Sequence, residues 1–204
     1  MTEWYILPGM GASPEMYDSL RRELSIKVHF LEWPRYRNEV SYREIGKRII
    51  AENEIREKDV IGGSSLGGMI ALEAAAILNA KAVVLIGSAL YRTEINHLLL
   101  LLSAFATMTP FSLIQQLAGK SGHLIGQMFS VSDPDFIRSM CKYISSWSGY
   151  HGVPAEVFRV HGEKDHIITC PEGGCDVINN AGHFVAITHA KECSEFLEKA
   201  YSHL

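Results

Sequence analysis

Seven residues, Gly62–Gly68 (GGSSLGG), join a β-branched apolar run to an apolar helical segment, and no other stretch constrains the fold as tightly. A strand that turns straight into a helix needs glycines, because nothing larger tolerates the tight turn and the close approach of the two elements. The segment fits G-x-S-x-G centred on Ser65, with Gly63 and Gly67. Centred on Ser64, the pattern would need glycine where Leu66 stands. A serine on such a turn is held in a strained conformation with its hydroxyl above the sheet. The helix that follows aims free N–H groups and a partial positive charge at the same place. Taken alone, the motif also reads as a Gly-rich turn that packs a helix on a sheet.

A serine hydroxyl is a poor nucleophile unless a base takes its proton, and that base needs an orienting acid. Both follow in the chain. Ala155–Ile168 (AEVFRVHGEKDHII) is an alternating apolar strand that runs into a polar turn holding Asp165. Eighteen residues later, after a second strand at Asp176–Asn179, His183 stands in AGHFV. Glu163 and Asp176 are rival acids. His161 belongs to the turn before Asp165 and reads as structural, His166 as solvent-facing or capping. The remaining histidines have no motif around them.

The order Ser65, Asp165, His183 resembles that of the α/β-hydrolase superfamily, as do the HG-x-x-D turn (His161–Asp165) and the GHF loop, and the likeness spans essentially the whole chain. The resemblance implies an α/β fold, a doubly wound, mostly parallel six-stranded sheet with helices on both faces, without the family's usual antiparallel N-terminal strands. In that family the loop after the first strand usually reads HG-x-G; here it is ILPGMGAS (Ile6–Ser13), with Pro8 where histidine is common. By that match the N–H groups of Met10 and Leu66 form an oxyanion hole, and backbone donors tolerate the Pro8 change. The same loop also reads as a strand-to-helix turn with Ser13 as N-cap and Pro14 at N1, and both readings hold together. The implied enzyme is a small capped serine esterase, cleaving a carboxylic ester or thioester through Ser65, His183 and Asp165 with no cofactor. Acyl transfer, carbon–carbon bond hydrolysis and haloperoxidase-like chemistry use the same three groups and stay as alternatives, as does a non-catalytic small-ligand module. Serine at the elbow argues against the dehalogenase and epoxide-hydrolase branches, which use aspartate there.

The wider pattern agrees. Strands are expected at Glu3–Leu7, Lys27–Glu32, Asp59–Gly62, Ala82–Ile86, Glu156–Val160 and Cys175–Asn179, mostly as near-continuous apolar runs suited to parallel strands buried on both faces. Helices are expected at Pro14–Leu24, Ser41–Glu54 (opened by a Ser41/Glu44 capping box), Leu66–Leu78 and a last helix with Cys193, Phe196, Leu197, Ala200 and Tyr201 on one face. Such alternation implies right-handed crossovers, with the site at the carboxyl ends of the strands. One segment breaks it. Residues 91–150 read as helices at Thr93–Thr107, Pro110–Leu117 and Pro134–Trp147, where the family places a cap. The run Leu98–Leu102 with Phe105, Met108, Phe111, Met128 and Phe129 is too apolar for a solvated loop. Most of these residues pack the cap; Phe105, Met108 and Phe129 are the candidates for an apolar acyl pocket.

The 204 residues suit one domain, 1–204, with 91–150 inserted in it. A net charge of −4 without a basic cluster gives no hint of nucleic acid, so the expected partner is a small-molecule ester or thioester, bound by a monomer or homodimer. Glu3 interrupts the only apolar N-terminal stretch and no basic segment precedes it, so a cytoplasmic location is expected by default. The apolar run at Leu98–Met108 is too short to span a bilayer. Cys141, Cys170, Cys175 and Cys193 are expected as reduced thiols. The pair in CPEGGC lacks further zinc ligands nearby, so no metal is expected.

Overall fold

The computed structural model describes residues 2–96, 133–150 and 156–204. Strands β1 (Trp4–Leu7), β2 (His29–Phe30), β3 (Val60–Ser64), β4 (Ala82–Ile86), β5 (Glu156–Gly162) and β6 (Asp176–Ile178) form one sheet in the order β2-β1-β3-β4-β5-β6, with every pairing parallel. Their centres fall where the apolar runs predict, but the ends differ. The edge strand β2 pairs only at Tyr5↔His29 and Ile6↔Phe30, so it is shorter than Lys27–Glu32. By contrast β3 runs on to Ser64 and β5 to Gly162, carrying the chain to the turns that hold Ser65 and Asp165.

Alternation along the strands builds two cores. Leu7, Ile61, Val83 and Leu85 face one side, and Trp4, Ile6, Val60, Val84, Ile86 and Val160 face the other, all buried. The first side is covered by α2 (Tyr42–Glu52), α3 (Leu66–Leu78) and α4 (Pro134–Ser146), the second by α1 (Asp18–Glu23), α5 (Val185–Thr188) and α6 (Ala190–His203). The expected helix Pro14–Leu24 divides into a 3₁₀ turn at Pro14–Tyr17 and α1; Ser13 occupies the N-cap position without a side-chain bond. The capping box of α2 forms, with Ser41 Oγ accepting from Glu44 N (3.3 Å) and Glu44 Oε2 reaching back to Val40 N (2.9 Å). On α6, Cys193, Phe196, Leu197 and Ala200 are buried, whereas Tyr201 is exposed and lays its ring over Trp4.

In the inserted segment, α4 matches the expected helix, capped by Asp133. The helix expected from Thr93 does not begin there: Arg92–Glu94 is a 3₁₀ turn, and Ile95 pairs antiparallel with Ile168. The rest of that helix, the one expected at Pro110–Leu117, and Phe105, Met108 and Phe129 lie outside the described residues. Among the described residues no helix is long and apolar enough to cross a membrane.

Since β2 lies on one side of β1 and β3–β6 on the other, the chain reverses its winding between β1 and β3. The loops that leave these two strands therefore part in opposite directions and open a crevice at their carboxyl ends. Glycine sets how closely the elements approach there. A Cβ on Gly63 would strike the Gly67 backbone, and one on Gly67 would strike Pro8 O and come within 2.6 Å of Leu7 O. Backbone cannot yield as a flexible side chain does. Gly67→Ala should therefore cost at least about 1–3 kcal/mol in urea unfolding. Gly173→Ala, with nothing within 4 Å of the added Cβ, is the control and should stay near wild type.

Candidate active site

The segment between β3 and α3 has the tight geometry its glycines predict. Ser65 adopts φ 50 and ψ −121, a region that side chains rarely occupy, at a cost on the order of 1–3 kcal/mol. Its surroundings hold it there: Ser65 N donates to Ile86 O (3.2 Å), and Ser88 Oγ donates to Ser65 O (2.6 Å). Although Ser65 is the N-cap of α3, its hydroxyl caps nothing and is left for other work. Ser64, one residue earlier, is buried and lies 2.7 Å from Tyr17 Oη, which is equally close to Leu7 O. Burial pushes the Tyr17 phenol well above its usual range, so it remains a neutral group that ties the elbow to β1.

Ser65 Oγ lies 2.9 Å from His183 Nε2, and His183 Nδ1 lies 2.8 Å from Asp165 Oδ2. These residues come from the turns after β3, β5 and β6. The last two turns are laced together, Glu163 N donating to Ile178 O (3.0 Å) and Lys164 N to Ala181 O (2.8 Å). A Cβ on Gly162 would strike Gly182 O, so glycine is what lets the two turns meet. With a carboxylate facing Nδ1, the imidazole proton belongs on Nδ1, which leaves Nε2 a lone pair for the Ser65 hydroxyl.

Asp165 is buried, and four donors converge on it. Oδ1 accepts from the amides of Ile167 (2.9 Å) and Ile168 (3.0 Å), while Oδ2 faces His183 Nδ1 and His161 Nε2 (3.2 Å). Burial alone pushes its carboxyl up, but the hydrogen bonds from His161 and His183, the positive charge His183 can carry and the Ile168 amide hold it well below the ordinary carboxylate range. His161 Nε2 also lies 2.8 Å from Ile168 O, and two acceptors require a proton on that nitrogen. The segment entering the insertion is fastened to the same turn, through Asn96 N to Ile167 O (3.0 Å), Thr169 N to Glu94 O (2.7 Å) and the partly buried Arg159–Glu94 pair (2.7 Å).

The loop after β1 borders the serine. Ala12 N donates to Gly9 O (3.1 Å), closing a turn whose third residue, Gly11, has the positive φ of 72 that this turn demands. A Cβ on Gly9 would lie 3.9 Å from Ser65 Cβ. Among the described residues the Met10 and Leu66 amides donate to no protein group.

Of the rival acids, Glu163 accepts from Asn180 N and Asp176 pairs with Lys199, each away from His183. His166 is solvent-facing. All four cysteines are free thiols; burial pushes Cys141 up to about 11 and Cys193 up to about 12. Three features exceed the sequence reading: the His161 contact to Asp165, the Tyr17 contact to Ser64, and a bond from Trp33 Nε1 to Gly9 O (3.0 Å). The four-residue spacing of His161 and Asp165 in the turn hinted at the first. Nothing in the sequence signals the other two.

No curated protein sequence matches this chain significantly. Solved structures do. A hydrolase from Oleispira antarctica superposes with a TM-score of 0.80 at 15% identity, over 98% of this chain and 90% of the other. An esterase from Thermogutta terrifontis gives 0.77 at 13% identity, over 99% and 90%. A bromoperoxidase from Bacillus anthracis gives 0.72 at 13% identity, over 97% and 92%. At such identities the likeness is one of fold. The sequence pattern of the Alpha/beta hydrolase family matches residues 5–196. With that match over nearly the whole chain and this fold behind it, the protein belongs to the alpha/beta hydrolase family.

Proposed function

We propose that the protein is a serine hydrolase that cleaves carboxylic esters or thioesters carrying a small-to-medium apolar acyl group. The observation that carries this reading is the unbroken line from Ser65 Oγ through His183 to Asp165 Oδ2, at 2.9 and 2.8 Å, on a strained turn beside two unused amides. In this mechanism His183 Nε2 takes the Ser65 proton as the hydroxyl attacks the acyl carbonyl. The oxygen that becomes negative is met by the Met10 and Leu66 N–H groups and by the positive end of α3. Asp165 keeps its charge and steadies the imidazolium. His183 then gives its proton to the leaving group, and water activated by the same nitrogen releases the acid from the acyl-enzyme. No step needs a metal or cofactor.

A fluorophosphonate probe tests the core of the proposal, since only an activated serine reacts quickly. A fold shared with enzymes of different chemistry does not choose among ester hydrolysis, acyl transfer, carbon–carbon cleavage and halide oxidation. Aryl esters of increasing chain length, with acyl-CoA thioesters beside them, test the first directly and read the preferred acyl group.

The segment 91–150 acts in this proposal as a helical lid within the single domain, with Phe105, Met108 and Phe129 lining the acyl site. Replacing any of the three by alanine should shift the preferred chain length, because an apolar wall discriminates by about 1–3 kcal/mol per methylene. Turnover of an acetate ester should stay within about tenfold, since that chemistry rests on groups outside the lid. A uniform loss at every chain length would show that these side chains only hold the lid together.

A further inference from the structure

We infer that Trp33 is a positioning residue for the oxyanion peptide, a role that rests on the ester-hydrolase reading above. Gly9 C=O and Met10 N–H belong to one peptide unit, and no described peptide bond is cis. In a planar trans peptide the two groups point in opposite directions. Whatever holds Gly9 O therefore aims Met10 N–H. Among the described residues two donors hold it, Ala12 N at 3.1 Å and Trp33 Nε1 at 3.0 Å. The Ala12 bond is internal to the turn and moves with it. Of these two donors the indole is the one that ties the carbonyl to a distant part of the frame, just beyond Leu31, whose N–H donates to Ile6 O.

Trp33 is itself fixed. Its ring lies 5.2 Å from that of Phe136 on α4. The same helix brings Cys141 Sγ to 3.8 Å from Met10 Sδ, and Met16 Sδ accepts from Gly9 N (3.4 Å). The peptide is thus gripped at its carbonyl and on both sides. A donor on the carbonyl also polarises the peptide and strengthens the N–H opposite. That N–H matters most when the substrate oxygen becomes an anion, so losing the indole donor acts on the transition state and little on substrate binding.

The test compares wild type with Trp33→Phe and with a chain carrying 3-benzothienylalanine at position 33, which keeps the ring shape and replaces N–H by sulfur. Two quantities are read: kcat and KM on a short aryl ester, and the inhibition constant of an aryl trifluoromethyl ketone, which forms an oxyanion adduct with the serine. Loss of one neutral hydrogen bond predicts a fall in kcat of roughly three- to tenfold, with KM within about twofold and the ketone weakened by the same factor as kcat. If kcat and ketone affinity hold in both variants, the ring only packs and the inference fails. It fails too if KM alone rises, because Trp33 would then touch substrate. Should Trp33→Phe not fold, the near-isosteric benzothienyl chain decides. Ser65→Ala runs alongside: if it hydrolyses the ester as fast as wild type, the hydrolase reading falls and takes this inference with it. That outcome is distinct from silent Trp33 variants in an enzyme that needs Ser65.

Discussion

Replacing Ser65 by alanine is expected to lower kcat by on the order of 10⁶ and to abolish fluorophosphonate labelling, with urea unfolding close to wild type. The hydroxyl is the group facing His183 Nε2, and alanine keeps the backbone strain while removing the proposed nucleophile. Ser64→Ala is the informative partner. That side chain is buried against Tyr17 Oη, so its loss should cost about 1 kcal/mol of stability and leave labelling intact. Labelling lost in a folded Ser64→Ala and kept in Ser65→Ala would reassign the elbow. Ser65→Gly adds a third arm: glycine adopts a φ of 50 without penalty, so this inactive variant should be more stable than wild type by about 1 kcal/mol or more.

Asp165→Asn should lower kcat by about 10³–10⁴. An amide that turns its NH₂ toward His183 moves the imidazole proton to Nε2, where it can no longer accept from Ser65. Stability should fall as well, by about 1–3 kcal/mol at neutral pH, because a carboxylate that meets four donors is replaced by a group that can accept on one side only. The pH dependence has a definite sign. The folded carboxyl lies below its ordinary value of 3.8, so the charged form stabilises the fold at any pH above that value, and the benefit drains away as pH falls toward the folded pKa. The gap in urea midpoint between wild type and Asp165→Asn should therefore narrow below about pH 4. Near-normal turnover in the variant would move the acid elsewhere, first to Glu163.

Much of this site was legible because it is written in short segments. The turn at Ser65 follows from glycines whose missing side chains can be counted in the sequence, and Asp165 and His183 each close an apolar strand. Strand centres were legible for the same reason: Val83 and Leu85 against Ala82, Val84 and Ile86 is a pattern of burial on two faces. Less legible were the ends of elements, which depend on partners. β2 stops early because it has a neighbour on one side only, and Ile95 turns from the expected helix to a bridge because Ile168 lies beside it. Least legible were the supports of the site. Tyr17 meets Ser64 from 47 residues away and Trp33 meets Gly9 from 24, through contacts that leave no local spacing to recognise.

The three groups of the site arrive in a particular temporal order. Ser65 lies 118 residues before His183, and Asp165 comes only 18 before it. On the ribosome the elbow strand emerges with its neighbours β1 and β4 long before Asp165 and His183 exist to meet Ser65. On the proposed mechanism the nascent polypeptide carries a mute hydroxyl for most of its synthesis, and turnover begins only when β5 and β6 have docked at the far edge of the sheet. If these groups act as proposed, activity reports finished assembly: a molecule arrested before His183 lacks the base, however well its first half has folded.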